Sequence, residues 1–267
     1  MEEKLYDVLV IGNGPAGLSA AINVRQRNGA VLVIGLPIEG NPLYKAHEID
    51  NYLGLPRMSG ADMLRIMHKH AEDKGVEFCE ERLLAAYPNG DTWMVSAGSC
   101  VFTGRKVVFA GGVARGKAFE GEEEFLGRGV SYCTTCDGML YKGKEVSVIG
   151  FSEADRKEAA YLEGICSKVD YFEKPGSVKI LGDQKVSQVE VDGKTMDTSC
   201  VFILRPTLSP ASLFPGLAIE NGFIKVNRSM ETNLPGLYAA GDCTGTPFQV
   251  AKAVGEGMMA GQSAMKI

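Results

Sequence analysis

The chain is predicted to form two α/β domains, and three observations carry that prediction. An apolar run, Val8 to Ile11, leads straight into the turn Gly12-Asn13-Gly14-Pro15-Ala16-Gly17. A second apolar run, Val146 to Ile149, leads into another turn followed by a helical pattern. Between them stands a Cys-x-x-Cys pair, Cys133 and Cys136, in the stretch YCTTCDG. A strand, a turn and a helix in that order build parallel sheets covered by helices.

The first strand, Val8 to Ile11, alternates too little to be half exposed and reads as a buried parallel strand. A helix is predicted from Pro15 to Arg27, with proline in its first turn and Asn28-Gly29 closing it by a left-handed cap. Val31 to Ile34 is the partner strand. The three glycines have separate duties: a tight turn, close backbone approach to a pyrophosphate, and close packing of helix on strand. Free N–H groups at the helix start supply the anion site, so this loop is expected to hold a dinucleotide. The second strand ends in Gly35, where an acidic residue often binds the ribose. The ribose is then held differently, or the adenosine end is loosely read.

Further along, a helix is expected over Ala61 to Lys74, with the stripe Leu64, Met67 and Ala71 and a stop at Gly75. Short strands follow at Val76 to Cys79, Trp93 to Ala97, Cys100 to Phe102 and Lys106 to Phe109, the last entering Ala110 to Gly112. His68 and His70 stand two apart on the helix and face different ways, so they cannot chelate one ion. Near the end, the strand Leu237 to Ala240 enters Gly241-Asp242 and then a helix rich in small residues.

The turn after Val146 to Ile149 differs from the first. A bound pyrophosphate needs tiny residues there, but Phe151, Ser152, Glu153 and Asp155 occupy the place. Ser152 reads as an N-cap, and Glu153 and Asp155 put carboxylates in the first helical turn, taking the electrostatic role of a phosphate. They would oppose a pyrophosphate by repulsion and desolvation. The next strand, Val169 to Phe172, ends in Glu173-Lys174-Pro175-Gly176. Glu173 leaves open a reading in which it binds the 2′-OH of NADH. Between Glu145 and Leu204 there is room for one βαβ unit and a few short strands, less than a full nucleotide-binding half.

Composition narrows the class. The 267 residues are 45% hydrophobic and 23% charged, ordinary for a soluble globular protein. A net charge of −5 gives no global basic field for nucleic acid or anionic membrane. The start, MEEKLYDVLVIG, has no signal-peptide character, and no apolar run approaches the roughly 20 residues that span a bilayer. The expected location is the cytoplasm. Of seven cysteines only 133 and 136 have motif spacing, and no second Cys or His pair completes a zinc site, so no metal is expected. A thiolate at a helix start is stabilised by free N–H groups, which makes disulfide exchange feasible near neutral pH.

The ordered set GxGPAG, CxxCDG and a strand ending AAGD, spread over nearly the whole chain, resembles the low-molecular-weight thioredoxin reductases. The resemblance implies a two-domain flavoprotein disulfide reductase. Residues 1–113 and 208–267 would form a discontinuous FAD-binding domain, and residues 114–207 a truncated, degenerate NADPH-type domain carrying the CxxC. The joints fall near Val113 to Gly116 and Arg205 to Pro210. Gly12, Gly14, Pro15, Ala16 and Gly17 would hold the FAD pyrophosphate, with Gly35 beside them. Gly241 leads into Asp242, which would bond the ribityl chain. Asn51, Gln249, Val250 and Ala251 would line the flavin, although family members often carry Arg-Gln-Ala where this chain has Gln249-Val250-Ala251. Cys136 would be the thiol next to the flavin, Cys133 the one that attacks a partner disulfide, and Asp137 the proton donor and acceptor. The central domain would swing between flavin and partner. A homodimer is implied as well.

The stretch Glu173 to Gly176 lacks the arginine cluster that grips a 2′-phosphate in the family. The chain is most similar to the ferredoxin-dependent flavin thioredoxin reductases, which lack the NADPH motifs. That implies reduced ferredoxin as donor, FAD as relay and thioredoxin as acceptor. Lys142, Lys144, Lys168 and Lys174 are candidates for a basic patch facing an acidic ferredoxin. Two other readings stay open. One is a dithiol oxidase of the same fold using oxygen, against which the lack of any histidine beyond residue 70 weighs mildly. The other is a flavin-bound redox sensor without turnover.

Overall fold

The computed structural model describes residues 4–112, 118–132, 134–204 and 210–266. The chain divides into two compact units, Met1–Ala114 with Thr207–Ile267, and Arg115–Pro206. The stretches predicted as joints lie, apart from Pro210, outside the described residues.

The first stretch of unit one runs β1 (Leu5–Ile11), α1 (Pro15–Arg25), β2 (Val31–Ile34), α2 (Gly60–Asp73), β3 (Glu77–Cys79), β4 (Leu83–Asn89), β5 (Thr92–Ala97) and β6 (Cys100–Phe109). Unit two follows with β7 (Val130–Ser131), α3 (Thr134–Asp137), β8 (Glu145–Gly150), α4 (Glu153–Glu163), β9 (Lys168–Glu173), β10 (Val178–Gly182), β11 (Val186–Val191), β12 (Lys194–Asp197) and β13 (Val201–Ile203). The chain then returns to unit one through α5 (Pro210–Leu213), β14 (Ile219–Glu220), β15 (Phe223–Ile224), β16 (Leu237–Ala239) and α6 (Val250–Ala264).

In unit one the strands follow the order β3-β2-β1-β6-β5-β4, and β16 pairs with the C-terminal end of β6. The sequence suggested two short strands at 100–102 and 106–109, but β6 is one strand of ten residues. Its first half pairs antiparallel with β5, while Thr103 to Phe109 pairs parallel with β1. One strand thus belongs to both ladders, which explains why its pattern reads as broken. β4 went unpredicted because Ala85-Ala86 and Pro88 are poor strand formers; it sits at the sheet edge, where a proline is tolerated. Helix α1 stops at Arg25, two residues before the predicted end, and Asn28 takes the left-handed conformation at φ +60°.

Helices α1 and α6 cross closely because glycine faces backbone. A Cβ on Gly257 would lie 2.0 Å from the Ala16 carbonyl oxygen, and one on Gly261 would lie 2.4 Å from that of Ala20. The core beneath holds Val8, Val10, Val31, Val33, Val108 and Ala240, all essentially inaccessible. This close packing brings the starts of α1 and α6 to the same end of the parallel sheet.

In unit two the parallel sheet β7-β13-β8-β9 is buried on both faces. Val146 and Val148 of β8 with Phe202 and Leu204 pack toward Ala159 and Leu162 of α4. Ile149 with Val201 and Ile203 packs toward the antiparallel sheet β10-β11-β12. The period of two sends successive side chains to opposite layers, so an uninterrupted apolar run is what such a strand requires.

Candidate functional site

Unit one offers a cradle at the carboxyl ends of β1 and β16. Gly12 has φ +109°, and a Cβ there would stand 2.3 Å from the Ala110 carbonyl oxygen. A Cβ on Gly17 would stand 1.8 Å from the Gly12 oxygen, so the first turn of α1 lies directly on the loop. Above Gly14, among the described residues, only the Asn41 amide comes near, 3.0 Å from where a Cβ would be. Gly14 is the N-cap of α1, makes no side-chain cap bond, and is followed by Pro15; no acidic residue stands in the first turn. The N–H groups at this helix start therefore face no built-in anion.

Gly35 closes against the same loop, its Cβ position lying 3.1 Å from Asn13 Cγ. The buried Asn13 spans from the loop to the stretch just after β2, donating from Nδ2 to the Leu36 carbonyl. Gly241 adopts φ +88°, and a Cβ on it would meet Ala16 Cβ at 2.9 Å. Gly12, Gly14, Ala16, Gly17, Gly35 and Gly241 are thus gathered around one point, with Pro15 starting the helix that points at it. Asp242 follows, half-buried; burial raises its carboxyl above the usual carboxylate range, while the Lys252 charge pulls it down and Glu256 pushes it up.

A cleft of about 580 Å³ in the same unit is lined by Ile49, Asp50, Asn51, Phe248, Gln249 and Val250 among others. Asn51 Nδ2 donates to Gln249 Oε1 at 2.6 Å, joining the loop after β2 to the start of α6. Gln249 is the N-cap of α6 but makes no cap bond with its side chain, and the first turn of that helix also lacks acids. Ala251 lies exposed in the same turn. Two uncapped helix starts, glycines that admit no side chain, and an open cleft fit FAD, whose pyrophosphate needs the former and whose ring system needs the latter.

In unit two the dithiol segment follows β7. Cys133 lies outside the described residues, and Cys136 is described only as backbone within α3. Asp137 ends α3, and its Oδ2 accepts from the buried Ser131 hydroxyl at 2.7 Å. Thr134, fully buried between the two cysteines in sequence, donates from Oγ1 to Glu158 Oε1 of α4 at 3.1 Å. Gly138 lets this segment approach α4, since a Cβ there would lie 2.7 Å from Leu162 Cδ2. The other cysteines carry free thiols; burial raises those of Cys200 and Cys243, and makes them poor nucleophiles.

The start of α4 is closed from within. Ser152 Oγ accepts from Asp155 N at 3.3 Å, and Asp155 Oδ2 accepts from both Ser152 N and Phe151 N at 2.8 Å. This is a full capping box, and Asp155 is 3% exposed. The sequence assigned that duty to Glu153 and Asp155 together; Glu153 is exposed, and Asp155 alone fills the place. Tyr171 of β9 lies over the turn, its hydroxyl 2.1 Å from where a Cβ of Gly150 would be, and donates to the Ser152 carbonyl at 3.3 Å. The Arg156 guanidinium stacks 4.4 Å from the Tyr171 ring centre and stands 3.9 Å from Glu173. Glu173, left open as a ribose reader, is thus flanked by Arg156 and by Lys174 at 3.7 Å. Among the described residues no group of three or more His, Cys, Asp or Glu side chains is placed to hold a metal.

Several of these side chains escaped the sequence reading: Asn13, Ser131, Thr134, Tyr171, Lys252 and Glu256. Only the last two leave a signal, opposite charges four apart on one helix, and that pattern is usually a solvated surface pair.

A glycine-lined helix start at the end of a parallel sheet, an open cleft in the same unit and a CxxC-bearing second unit are the features of a flavoprotein disulfide oxidoreductase. The family model described as "Pyridine nucleotide-disulphide oxidoreductase" matches residues 6–174 and 167–257. A thioredoxin reductase of Listeria innocua is 31% identical over 99% of this chain and 94% of its own length. Two crystal structures of a ferredoxin-flavin thioredoxin reductase from Clostridium acetobutylicum are also similar. One superposes with a TM-score of 0.91 at 37% identity, covering 98% of this chain and 96% of the other. The second gives 0.86 at 39%, covering 97% and 96%. The chain belongs to the pyridine nucleotide-disulphide oxidoreductase family, in its thioredoxin reductase branch. It is an oxidoreductase with FAD as cofactor. No described helix is long and apolar enough to cross a membrane.

Proposed function

We propose that this enzyme reduces thioredoxin through the Cys133–Cys136 dithiol, and that its electrons come from reduced ferredoxin in place of NADPH. The observation that carries the reading is the contrast between helix starts. Helices α1 and α6 present uncapped N–H groups with no acid in the first turn, whereas α4 is capped by Ser152, and the N–H groups of Phe151 and Ser152 just before it are bonded to the buried Asp155 carboxylate. A pyridine nucleotide seated at α4 would have to displace a charge-assisted cap and the Tyr171 ring, then face a buried carboxylate. The similarity to the Clostridium acetobutylicum ferredoxin-flavin thioredoxin reductase supports the same donor.

On this reading residues 1–113 and 208–267 hold FAD and residues 114–207 carry the dithiol, with two copies of the chain forming a dimer. Gly12, Gly14, Pro15, Ala16 and Gly17 seat the pyrophosphate, Gly35 and Gly241 keep the cradle open, and Asp242 accepts from the ribityl hydroxyls. Asn51, Gln249, Val250 and Ala251 border the ring system. Bound FAD accepts electrons singly or in pairs, which lets a one-electron protein carrier serve a two-electron disulfide.

The dithiol then works by exchange. The Cys133 thiolate attacks the thioredoxin disulfide, forming a mixed disulfide and releasing one thioredoxin thiolate. Cys136 attacks Cys133 of that bridge, releasing the second thioredoxin thiolate and restoring the Cys133–Cys136 disulfide. Asp137, oriented by Ser131 at 2.7 Å, takes and returns the proton. The test is turnover: reduced ferredoxin with the enzyme should reduce thioredoxin without oxygen, and Cys133→Ser should abolish it. Peroxide formation from dithiols in air, with no thioredoxin reduction, would contradict the reading.

A further inference from the structure

Gly241 sits at φ +88° and ψ −149°, a backbone region that only glycine enters without strain. Both of its polar groups are committed to one pair of side chains on α6. Its N–H donates to Glu256 Oε2 at 2.8 Å, and its carbonyl accepts from Lys252 Nζ at 2.9 Å. Thr244 closes the far side of the turn: its Oγ1 lies 2.8 Å from Glu256 Oε2, 2.7 Å from the Gly241 oxygen and 3.1 Å from Lys252 Nζ. The two charges are 3.1 Å apart, with side chains only 16% and 15% exposed.

An exposed ion pair at this spacing would gain little. This one is largely removed from water and directs its hydrogen bonds sideways, at a turn belonging to another segment. A charge buried to that degree is costly unless every partner is in place, so the turn has one arrangement that satisfies Lys252, Glu256 and Thr244 together. Asp242 is the next residue in the chain, and the turn touches Ala16 in the first turn of α1.

We propose that Lys252 and Glu256 are positioning residues that lock the Gly241–Asp242 turn and so aim the Asp242 carboxylate at bound FAD. The proposal rests on the reading of Asp242 as a ribityl-binding residue. Neither side chain need touch the cofactor. Lys252 has a second effect through its charge, which favours the ionised, hydrogen-bond-accepting form of Asp242 against the burial that disfavours it.

The test is the rate at which the holoprotein releases FAD, read from recovery of free-flavin fluorescence after dilution. Lys252→Met and Glu256→Gln should each speed release at least tenfold, Thr244→Val about threefold, and Lys252→Arg should stay within twofold of the parent. Thr244→Val removes one hydroxyl and neither charge, so it remains informative if a charge variant fails to fold. In an Asp242→Ala background, Lys252→Met should change the rate less than twofold. A full tenfold effect in that background would mean that the pair does not act through Asp242, overturning the proposal. Release unchanged by Lys252→Met but accelerated by Asp242→Ala would overturn it too, leaving the role of Asp242 intact. Release unchanged by Asp242→Ala would remove both.

Discussion

Asn51 and Gln249, 198 residues apart in sequence, meet through a 2.6 Å hydrogen bond at the edge of the cleft in unit one. The bond ties the irregular loop after β2 to the N-cap of α6, two segments that otherwise have no reason to keep a common spacing. Both side chains are exposed, so the bond contributes little to folding, and both residues line the cleft.

Breaking that bond should therefore loosen cofactor more than fold. For Asn51→Ala or Gln249→Ala, a neutral hydrogen bond at about 0.5–1.5 kcal/mol predicts FAD binding roughly two- to tenfold weaker. Thermal unfolding of the apoprotein should be nearly unchanged. Flavin fluorescence titration and calorimetry make the comparison, and a large drop in stability with unchanged affinity would refute it.

The capping box on α4 is predicted to be structural. Asp155→Ala leaves the N–H groups of Phe151 and Ser152 without their acceptor, and Asp155 itself is 3% exposed. Cap losses of about 0.5–2 kcal/mol, plus the loss of two hydrogen bonds to a charged acceptor, predict a destabilisation of roughly 2–3 kcal/mol in urea unfolding. The variant should gain no affinity for NADPH, because Tyr171 still covers the turn.

Asp242 gives a pH-dependent outcome. Burial raises its folded-state pKa, so its favourable contribution is complete below the unfolded value and is lost as pH rises through the folded value. Holding the carboxylate charged thus costs the apoprotein stability at neutral pH. Asp242→Asn should stabilise the apoprotein near pH 7 and give a smaller gain at about pH 3, below the ordinary carboxylate value, where the parent carboxyl carries its proton as well. The same variant should release FAD faster. An equal gain at both pH values would show that charge is not the cause.

Ser147 of β8 is fully buried, and its hydroxyl has no hydrogen-bond partner among the described residues. Replacing it by alanine removes that polar group from the layer that Ile149 faces, opposite Val146 and Val148. Ser147→Ala should raise the stability of unit two by about 1 kcal/mol in denaturant unfolding. A loss of similar size would mean that the hydroxyl is solvated in solution.

How much of this was legible beforehand depends on the range of the interaction. The strand, turn and helix at 8–25 could be read because glycine spacing and an apolar run are local signals, and Ser152 as a cap was local too. The role of Asp155 over Glu153 was not, since both stand in the first turn and only the folded geometry says which carboxylate reaches Phe151 and Ser152. Strand β6 was split in the reading because it serves an antiparallel ladder at one end and a parallel one at the other. Tyr171 over Gly150, and Lys252 with Glu256 over Gly241, are contacts between distant segments that no periodicity records. The residue types were visible; their partners were not.

The donor assignment is tested most directly by anaerobic titration of the oxidised yellow protein. NADPH and NADH, added separately in modest excess, should leave the flavin absorbance unchanged, and reduced ferredoxin should bleach it and allow thioredoxin to be reduced. Stoichiometric bleaching by NADPH, with ferredoxin inert, would contradict the claim that Asp155 and Tyr171 have closed the second nucleotide site.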